Sequence, residues 1–332
     1  MDWTSNVTVH ESALPAASRA RTLEALRRGE LDPSLLYNGL RQTLRWIELH
    51  HAVSPAQRDT SIQELYENAF RRAAELCRGN VVHAVSLACG DGTKDTRCLQ
   101  LLRESGRTVI YTPADVSLEM VLTAEQAATT ALRGLQTTPL VCELGYCSVL
   151  PALLKNFDPS GAERIVLFLG TIHNFWPPEI LKSVIYPVRS QDQLLISANL
   201  APSAGYDESV NKILTQYDNA HTRHWLLGAL SELDITSADG ALSFSLVPAE
   251  AQSGLKRIQA DFIFTREKQI NFFGEPIAFG ANRRLRVFYS YRFTAEHIRE
   301  FLNRARLQIA QEWIAPNSEE GLFLCRRAAE NQ

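Results

Sequence analysis

Short apolar runs alternate with segments of helical periodicity through the middle of the chain. The apolar runs lie near residues 82, 108, 139, 166 and 194. Each is followed by a segment with apolar or small residues at intervals of three or four, which is typical of a helix packed on one face. Strands that alternate with helices form a parallel sheet covered on both sides. The pattern therefore predicts an α/β fold with a doubly wound sheet.

The pattern changes between residues 201 and 291, where a helical stretch precedes several alternating, strand-like segments. Such alternation is typical of antiparallel strands. Residues 1–60 mix short helical patterns with Pro33 and Tyr37. We therefore expect a sheet domain of residues 61–200 and 292–332, and a second α+β lobe, which binds the substrate, of residues 1–60 and 201–291.

The first strand leads into a glycine-bracketed turn in the stretch VVHAVSLACGDGTKD, which begins at Val81. Gly90 and Gly92 lie in the turn, and Thr93 is a candidate N-cap for the helix that follows. Glycines allow a ligand close to the backbone, and a helix start presents unpaired N–H groups with partial positive charge. The turn suits an anionic nucleoside cofactor, although ordinary tight turns share the same pattern.

Two acidic residues end the next two strands. Asp115 lies 23 residues beyond Gly92, where a carboxylate can accept both hydroxyls of a ribose. Glu143, followed by Leu144, ends the third strand. This spacing suits NAD and S-adenosylmethionine equally, and the alternative is that both acids are helix caps or solvated strand ends.

Composition narrows the class of partner. The chain has 332 residues, of which 45% are hydrophobic and 21% charged, and its formal net charge is -3. This charge gives no field that would attract nucleic acid or an anionic membrane, so we expect a small-molecule substrate. No apolar run reaches the ~18 residues that span a bilayer, and no basic segment precedes an apolar one at the N-terminus. We expect a cytoplasmic protein.

Cysteine and histidine spacing does not indicate a metal site. The six cysteines form no CxxC pair and mostly lie in apolar runs, which predicts buried free thiols. His50 with His51, and His221 with His224, lack a third ligand at a recognisable spacing. We therefore predict surface or packing roles for these histidines.

The C-terminal segment helps to choose between the two cofactors. A helical pattern from residue 294 is followed by LQIAQEWIAP and EEGLFLCRR, two strands close enough to form a hairpin. The sheet of class I methyltransferases ends in this way, whereas nicotinamide-binding folds usually end on a parallel strand. This ending favours S-adenosylmethionine and a Rossmann-like sheet with a C-terminal antiparallel hairpin.

Six segments carry a more specific resemblance: SLACGDGTKDTRCLQLL, IYTPADVS, LFLGTIHNF, QYDNA, YSYRF and IAQEWIAPNSEEGLFLCRR. In order and spacing they are similar to the histidine-specific, S-adenosylmethionine-dependent methyltransferase family. That family includes histidine Nα-methyltransferases of the ergothioneine pathway and a fungal dimethylallyltryptophan N-methyltransferase. The resemblance covers residues from about 80 to 328, and this chain is a divergent member.

The resemblance implies roles for individual residues. The implied cofactor-binding residues are Gly90, Gly92, Lys94, Asp115, Val116, Glu143, Leu144, Gly170 and Thr171. The implied substrate-binding residues are Asn174, Trp176, Tyr217, Phe288 and Ser290. Asn174 matches the asparagine that holds the substrate's carboxylate and amine, and Tyr217 matches a tyrosine on the substrate side, so these two are the candidate catalytic residues. Trp176 could either line the substrate pocket or pack beneath it.

One departure from the family pattern bears on the substrate. The histidine enzymes carry a glutamate that reads the imidazole, and this chain has Phe288 at that position. A site built around a buried polar reader rejects analogues that leave the reader unpaired, so an aromatic residue redirects side-chain selection. The family's paired tyrosines are also hard to place in RWIELHHAVSPAQRD. We expect an acceptor with an apolar or aromatic side chain rather than histidine.

The expected reaction is methyl transfer from S-adenosylmethionine to the nitrogen of a small amino acid or amine. In-line displacement needs an aligned neutral amine and exclusion of water, and no strong base is obligatory. The alternatives are O- or C-methylation of an aromatic natural-product intermediate, a non-catalytic protein that binds the cofactor, and, more distantly, an NAD-dependent dehydrogenase.

Overall fold

The computed structural model describes residues 3–158, 162–203, 205–249 and 253–328. Its strands, in chain order, are β1 (Thr8–Val9), β2 (Val81–Leu87), β3 (Thr108–Asp115), β4 (Gln136–Thr137), β5 (Leu140–Val141), β6 (Glu163–Phe168), β7 (Gln193–Asn199), β8 (Gly240–Pro248), β9 (Lys256–Phe264), β10 (Lys268–Phe272), β11 (Glu275–Phe279), β12 (Arg284–Arg292), β13 (Leu307–Ile314) and β14 (Glu320–Arg327).

The helices connect and cover these strands. They are α1 (Pro15–Arg28), α2 (Leu40–Val53), α3 (Pro55–Arg58), α4 (Thr60–Leu76), α5 (Thr93–Glu104), α6 (Leu118–Ala131), α7 (Leu150–Phe157), α8 (Pro177–Ile185), α9 (Tyr206–Tyr217), α10 (Ala220–Ser231) and α11 (Ala295–Arg304). Short 3₁₀ turns cover Pro33–Leu36 and Ile172–Asn174. No described helix is long and apolar enough to cross a membrane.

The large sheet has the strand order β1-β5-β3-β2-β6-β7-β14-β13, with β4 also paired to β3. Strands β3, β2, β6 and β7 are parallel, whereas β14 runs antiparallel to both β7 and β13. The predicted α/β sheet and its closing hairpin are confirmed. Because β3 and β6 flank β2, the strand order reverses there, and ligands of such sheets bind beyond the carboxyl ends of the strands at this point.

The apolar run of β2 shows why the sheet forms where it does. All its residues except Val81 are buried, as expected for a parallel strand with both faces covered. Val82 and Ala84 pack into the hydrophobic cluster that includes Phe70 of α4. Val85 and Leu87 pack into the opposite cluster, with residues of α7, α8 and α11. The single strand β2 thus contributes side chains to two hydrophobic cores, one on each face of the sheet.

The second lobe holds the antiparallel sheet β12-β9-β8 and the hairpin β10-β11, as the alternation predicts. Its core joins Leu26 of α1 and Leu49 of α2 to Trp225, Phe262 and Leu285. The N-terminal helices thus pack with residues of the 201–291 segment.

Three local details differ from the sequence expectations. Thr8 and Val9 pair with Leu140 and Val141 in the large sheet, although we expected residues 1–60 in the second lobe. The third strand is divided into the short pieces β4 and β5. Thr93 is the first residue of α5, and Gly92 occupies the cap position with φ of 72° and no capping side chain.

All six cysteines are buried free thiols, as predicted. Within the described part of the chain, no group of three or more His, Cys, Asp or Glu side chains could hold a metal ion. His221 Nδ1 lies 3.5 Å from Glu48 Oε1 at the surface. His50 stacks on Trp46, with ring centroids 4.8 Å apart. His51 Nε2 lies 3.2 Å from Asp91 Oδ2.

Candidate active site

A cavity of about 1040 Å³ lies where the carboxyl ends of the parallel strands face the second lobe. This volume is at the upper end of ordinary ligand pockets, so it has room for a cofactor and a small substrate together. The sheet contributes the segments that follow β2, β3, β5, β6 and β7. The predicted residues on its wall are Gly90, Lys94, Asp115, Val116, Glu143, Leu144, Gly170, Thr171, Asn174, Trp176, Tyr217 and Phe288. Gly92 and Ser290 lie behind the wall.

The two glycines of the turn after β2 have different surroundings. Gly90 has φ of 56°, and a Cβ atom there would lie 3.0 Å from Cη2 of Trp46 on α2. Gly92 has φ of 72°, and a Cβ atom there would lie 2.6 Å from Cα of Ala124 on α6. Gly90 therefore faces the cavity. Gly92 instead permits close packing of the turn against α6, which differs from its implied contact with the cofactor.

Two carboxylates lie together at one end of the cavity. Asp115 accepts the N–H groups of Gly90 at 3.3 Å and Ser117 at 3.1 Å, and burial raises its pKa to about 6. Burial, followed by the charge of Asp32, raises the pKa of Glu143 to about 7. A carboxylate has about four lone-pair positions, so both groups keep capacity for further donors. Such an arrangement suits ligand hydroxyl and amino groups.

Tyr37 lies close to both carboxylates. Burial is the main cause that raises the pKa of its hydroxyl, and the charges of Asp115, Glu143 and Tyr217 raise it further. Tyr37 therefore lies within electrostatic range of both acids and of Tyr217, and its hydroxyl stays protonated.

A half-buried lysine occupies the wall near the end of β6. Lys94 Nζ donates to the Tyr66 hydroxyl at 3.2 Å and lies 4.7 Å from the Tyr66 ring centroid. Burial lowers the pKa of Lys94. Gly170 has φ of +71°, which favours glycine, and a Cβ atom there would lie 3.2 Å from the mobile Lys94 Nζ. Glu320 accepts from the Tyr66 hydroxyl at 2.6 Å. Glu320 also acts electrostatically on Lys94. A half-buried cation bonded to a neutral hydroxyl is suited to an anionic ligand group.

Asn174 ends the 3₁₀ turn that follows β6. Its Oδ1 atom is buried, and among the described residues it has no hydrogen-bond partner. A buried amide acceptor without a partner is costly, so its position on the cavity wall indicates a ligand donor. Trp176, two residues later, both lines the cavity and packs on Tyr291 and Phe301, with ring centroids 5.9 Å from each.

Aromatic side chains line the cavity on the second-lobe side, and we call a connected group of them the aromatic wall: Tyr37, Trp46, Tyr217, Trp225 and Phe288. The Phe288 ring centroid lies 6.0 Å from that of Tyr217 and 5.6 Å from that of Trp225. Tyr37 lies 5.7 Å from Trp225 and 6.3 Å from Trp46 by the same measure. The wall surrounds Phe288 with apolar surface.

Ser290 is fully buried and supports the aromatic wall from behind. Its Oγ lies 3.1 Å from the Tyr217 hydroxyl. Arg292 donates to the same hydroxyl through Nη2. Ser290 thus acts through Tyr217, since it does not border the cavity.

Sequence reasoning undervalued Tyr37 and missed Trp46, His173 and Arg292 as wall residues. A partial signal for Arg292 was available, because Phe288 and Arg292 have the same parity along β12 and both line the cavity, although Ser290 between them does not. No comparable signal marks Trp46, since α2 contributes to the site from a distant part of the chain.

The similarities to known proteins agree with this site. A family model described as histidine-specific methyltransferase, SAM-dependent, matches residues 23–327. A comparison with curated proteins finds no match.

Several solved structures are distantly similar. OxaC in complex with SAH and oxaline is 12% identical with a TM-score of 0.42, over 79% of this chain and 47% of that one. The magnesium protoporphyrin IX methyltransferase of Synechocystis PCC 6803, with bound SAH, is 14% identical with a TM-score of 0.44. The similarity covers 90% of this chain and 100% of that one. The 1,6-didemethyltoxoflavin-N1-methyltransferase of Burkholderia thailandensis is 11% identical with a TM-score of 0.40. The similarity covers 86% of this chain and 88% of that one.

The chain spans about half the length of the OxaC chain. The family model, in contrast, extends from residue 23 to residue 327 and so covers both the sheet domain and most of the second lobe. The chain therefore belongs to the histidine-specific, S-adenosylmethionine-dependent methyltransferase family.

Proposed function

We propose that this methyltransferase methylates the amino nitrogen of a small amino acid or related amine other than histidine. Family membership establishes an S-adenosylmethionine-dependent methyltransferase. The cofactor supplies a methyl group made electrophilic by the adjacent sulfonium. The proposal concerns the acceptor, and the observation that carries it is the buried, unpartnered Oδ1 of Asn174 within the described residues.

The chain's residues fit the parts of the cofactor. Asp115 has acceptor capacity for the ribose hydroxyls. Glu143 and Leu144 also line the cavity, and the family resemblance implies that this pair lies beside the adenine. Lys94 offers a half-buried positive charge for the cofactor's carboxylate. Gly90, Val116, Gly170 and Thr171 complete this side of the cavity.

Asn174 orients the acceptor nitrogen. An amine N–H that donates to Asn174 Oδ1 satisfies the buried oxygen, and the nitrogen lone pair then points away from Asn174. The amine releases its proton to solvent, either directly or through the Tyr217 hydroxyl, which passes its own proton on as it receives one. This hydroxyl accepts from Arg292 and lies 3.1 Å from Ser290 Oγ. Alignment and exclusion of water supply the rate enhancement that positioned reactants allow.

The aromatic wall selects the side chain of the acceptor. Phe288 presents no acceptor or donor to an imidazole, so histidine would leave a polar ring unsatisfied against apolar surface. An apolar or aromatic side chain gains from burial and from ring stacking against Phe288 and Trp225. We therefore propose an acceptor with such a side chain.

The test compares Asn174→Ala with the wild-type protein. We expect Asn174→Ala to abolish turnover, measured as release of S-adenosylhomocysteine with a panel of amino acids and amines, while S-adenosylmethionine binding by calorimetry stays near normal. Asn303→Ala, at an exposed position on α11, is the matched control and keeps both properties. Full turnover in Asn174→Ala would remove Asn174 as the substrate anchor.

O- or C-methylation of an aromatic intermediate is the second candidate, and the aromatic wall is the observation that favours it. Mass spectrometry of the product separates the two proposals. A methyl group on nitrogen supports the first, and one on a phenolic oxygen or ring carbon supports the second.

A further inference from the structure

Glu320 brings a carboxyl group from the closing hairpin to the cavity wall. It is the first residue of β14 and pairs with Asn199, the last residue of β7. Because β14 runs antiparallel to β7, its beginning lies at the carboxyl ends of the parallel strands, where the cavity is. Glu320 is 7% exposed and lines the cavity. A carboxyl group in this position is available to a ligand.

The groups around Glu320 favour its charged form against the effect of burial. Burial raises the pKa of the carboxyl group, and the charges of Lys94 and Arg292 lower it. The Tyr66 hydroxyl donates to Glu320 Oε1 at 2.6 Å, and Ser197 adds a further hydrogen bond. A carboxylate has about four lone-pair positions, so two hydroxyl partners leave it able to accept from a ligand.

One hydroxyl group separates Glu320 from Lys94. Lys94 Nζ donates to the Tyr66 hydroxyl at 3.2 Å, and this hydroxyl donates in turn to Glu320. In the described part of the chain, the cation and the carboxylate face each other through Tyr66 without a direct ion pair. Each charge therefore keeps room for an opposite charge on a ligand. The matching ligand is a zwitterion, with an ammonium and a carboxylate group on the same carbon.

Two other acids near Lys94 have partners of their own. Burial lowers the pKa of Lys94, and of the three acids that oppose this effect, Glu320 acts most strongly. Asp91 accepts from a backbone N–H of its own turn at 3.0 Å. Asp95 is 2% exposed and accepts from the Tyr111 hydroxyl at 2.7 Å. Glu320 is therefore the strongest candidate for the partner of a cation bound beside Lys94.

We propose that Glu320 binds the ammonium group of S-adenosylmethionine, beside the carboxylate that Lys94 binds. The amino-acid end of the cofactor is a zwitterion of the kind that this pair of charges matches. Two charge-assisted contacts at this end restrain the chain that carries the sulfonium, and so help to set the direction of the methyl group. The inference concerns the cofactor and goes beyond the proposed function, which concerns the acceptor.

Calorimetry with the full-length protein, without an acceptor, compares three ligands. They are S-adenosylhomocysteine, its deaminated analogue, which keeps the carboxylate, and its decarboxylated analogue, which keeps the amine. We expect the wild-type protein to bind S-adenosylhomocysteine more tightly than the deaminated analogue by on the order of tenfold or more, as for one charge-assisted hydrogen bond. Equal affinity for these two ligands would overturn the inference.

Glu320→Gln assigns the preference for the amine to this residue. Glutamine keeps the side-chain length and an oxygen that accepts from Tyr66. We expect the affinity for S-adenosylhomocysteine to fall by on the order of tenfold and the preference over the deaminated analogue to disappear, while the preference over the decarboxylated analogue persists. Lys94→Met should show the opposite pattern. A loss that is equal for all three ligands indicates a purely structural role and contradicts the inference.

Glu319→Gln is the matched control. It removes the same charge from the preceding residue, which is half-buried and also lines the cavity. We expect this variant to keep the ligand preferences of the wild-type protein. An equal effect in Glu319→Gln and Glu320→Gln would indicate a general effect of negative charge at this edge rather than a bond from Glu320, and would overturn the inference.

Two further measurements decide the matter if Glu320→Gln does not fold, which thermal unfolding shows first. Glu320→Asp retains the charge and is expected to retain the preference for the amine, and its loss in a folded variant contradicts the inference. A crystal structure of the wild-type protein with S-adenosylhomocysteine locates the amine directly. An amine bonded to backbone carbonyls and not to Glu320 overturns the inference.

The inference and the proposed function fail separately. The binding measurements contain no acceptor, so a missing preference for the amine leaves the proposed N-methylation standing. A methyl group found on an oxygen or carbon of the acceptor counts against the proposed function and leaves the role of Glu320 unchanged.

Discussion

Replacing Gly92 by alanine tests whether this glycine serves packing or cofactor contact. The added Cβ atom would lie 2.6 Å from Cα and 2.7 Å from Cβ of Ala124, with the residue held at φ of +72°. The left-handed conformation costs an L-residue about 1–2 kcal/mol, and overpacking costs about 1–3 kcal/mol. The free energy of unfolding should therefore fall by about 2–5 kcal/mol, which lowers Tm by roughly 3–7 °C for a chain of 332 residues.

Gly90→Ala is the matched comparison in the same turn. Its φ is +56°, but the atom that its Cβ would meet, 3.0 Å away, is the outer edge of the Trp46 ring, which can move. We expect a loss of only about 1–2 kcal/mol in stability, from the backbone conformation. Because Gly90 borders the cavity, the same change should weaken S-adenosylhomocysteine binding more than Gly92→Ala does.

Chemical denaturation gives the stabilities, and calorimetry gives the cofactor affinities of the folded variants. Ala124→Gly combined with Gly92→Ala removes one of the two close contacts, so we expect partial recovery of stability. A Gly92→Ala protein with wild-type stability and lost cofactor binding would refute the packing explanation. Gly92 would then contact the cofactor, as the resemblance implies.

Three further predictions concern the acids and Phe288. Asp115→Asn weakens S-adenosylhomocysteine binding by on the order of 10–100-fold in calorimetry, because a charged acceptor of the ribose hydroxyls is lost. Asp59→Asn, at a helix cap outside the cavity, has no such effect, and equal affinity in both variants would exclude Asp115 from the cofactor site. The pKa values of Asp115 and Glu143 are raised to about 6 and about 7. Both acids therefore bind protons as the pH falls through this range, and the protonated acids are poorer acceptors of hydrogen bonds from the cofactor. Cofactor affinity should therefore fall by on the order of tenfold from pH 8 to pH 6, with proton release on binding, and a flat profile would contradict these roles. Phe288→Glu raises the kcat/KM for histidine relative to that for an amino acid with an apolar or aromatic side chain, whereas Phe288→Leu does not. An unchanged ratio in Phe288→Glu would show that Phe288 does not select the side chain of the acceptor.

The fold was predictable where one apolar run decides a whole strand. Residues 82–87 are buried on both faces of the sheet, so their mainly apolar pattern, interrupted only by the buried His83 and Ser86, follows directly from their position. The pairing of Thr8 with Leu140 was not predictable, since two residues carry no periodicity and the contact joins distant parts of the chain. The helix cap was predicted at Thr93 and lies at Gly92. The sequence does not show this, because the close approach of Gly92 to α6 is a tertiary contact.

The candidate site was predictable at the strand ends, where the carboxyl ends of parallel strands converge. Asp115, Glu143 and Asn174 all border the cavity for this reason. Tyr37 and Trp46 reach it from the N-terminal segment, and no local pattern shows which strand end they face. The hydroxyl that Lys94 and Glu320 share emerges only when hydrogen bonds are assigned in three dimensions.

The acceptor atom and its side-chain class are tested most directly by transfer of a deuterated methyl group. The protein is incubated with S-adenosylmethionine labelled in the methyl group and with a panel of amino acids, and tandem mass spectrometry locates the label. We predict label on the α-nitrogen of an amino acid with an apolar or aromatic side chain, with histidine a poor acceptor. Label on oxygen or carbon, or histidine as the best acceptor, would contradict the proposed function.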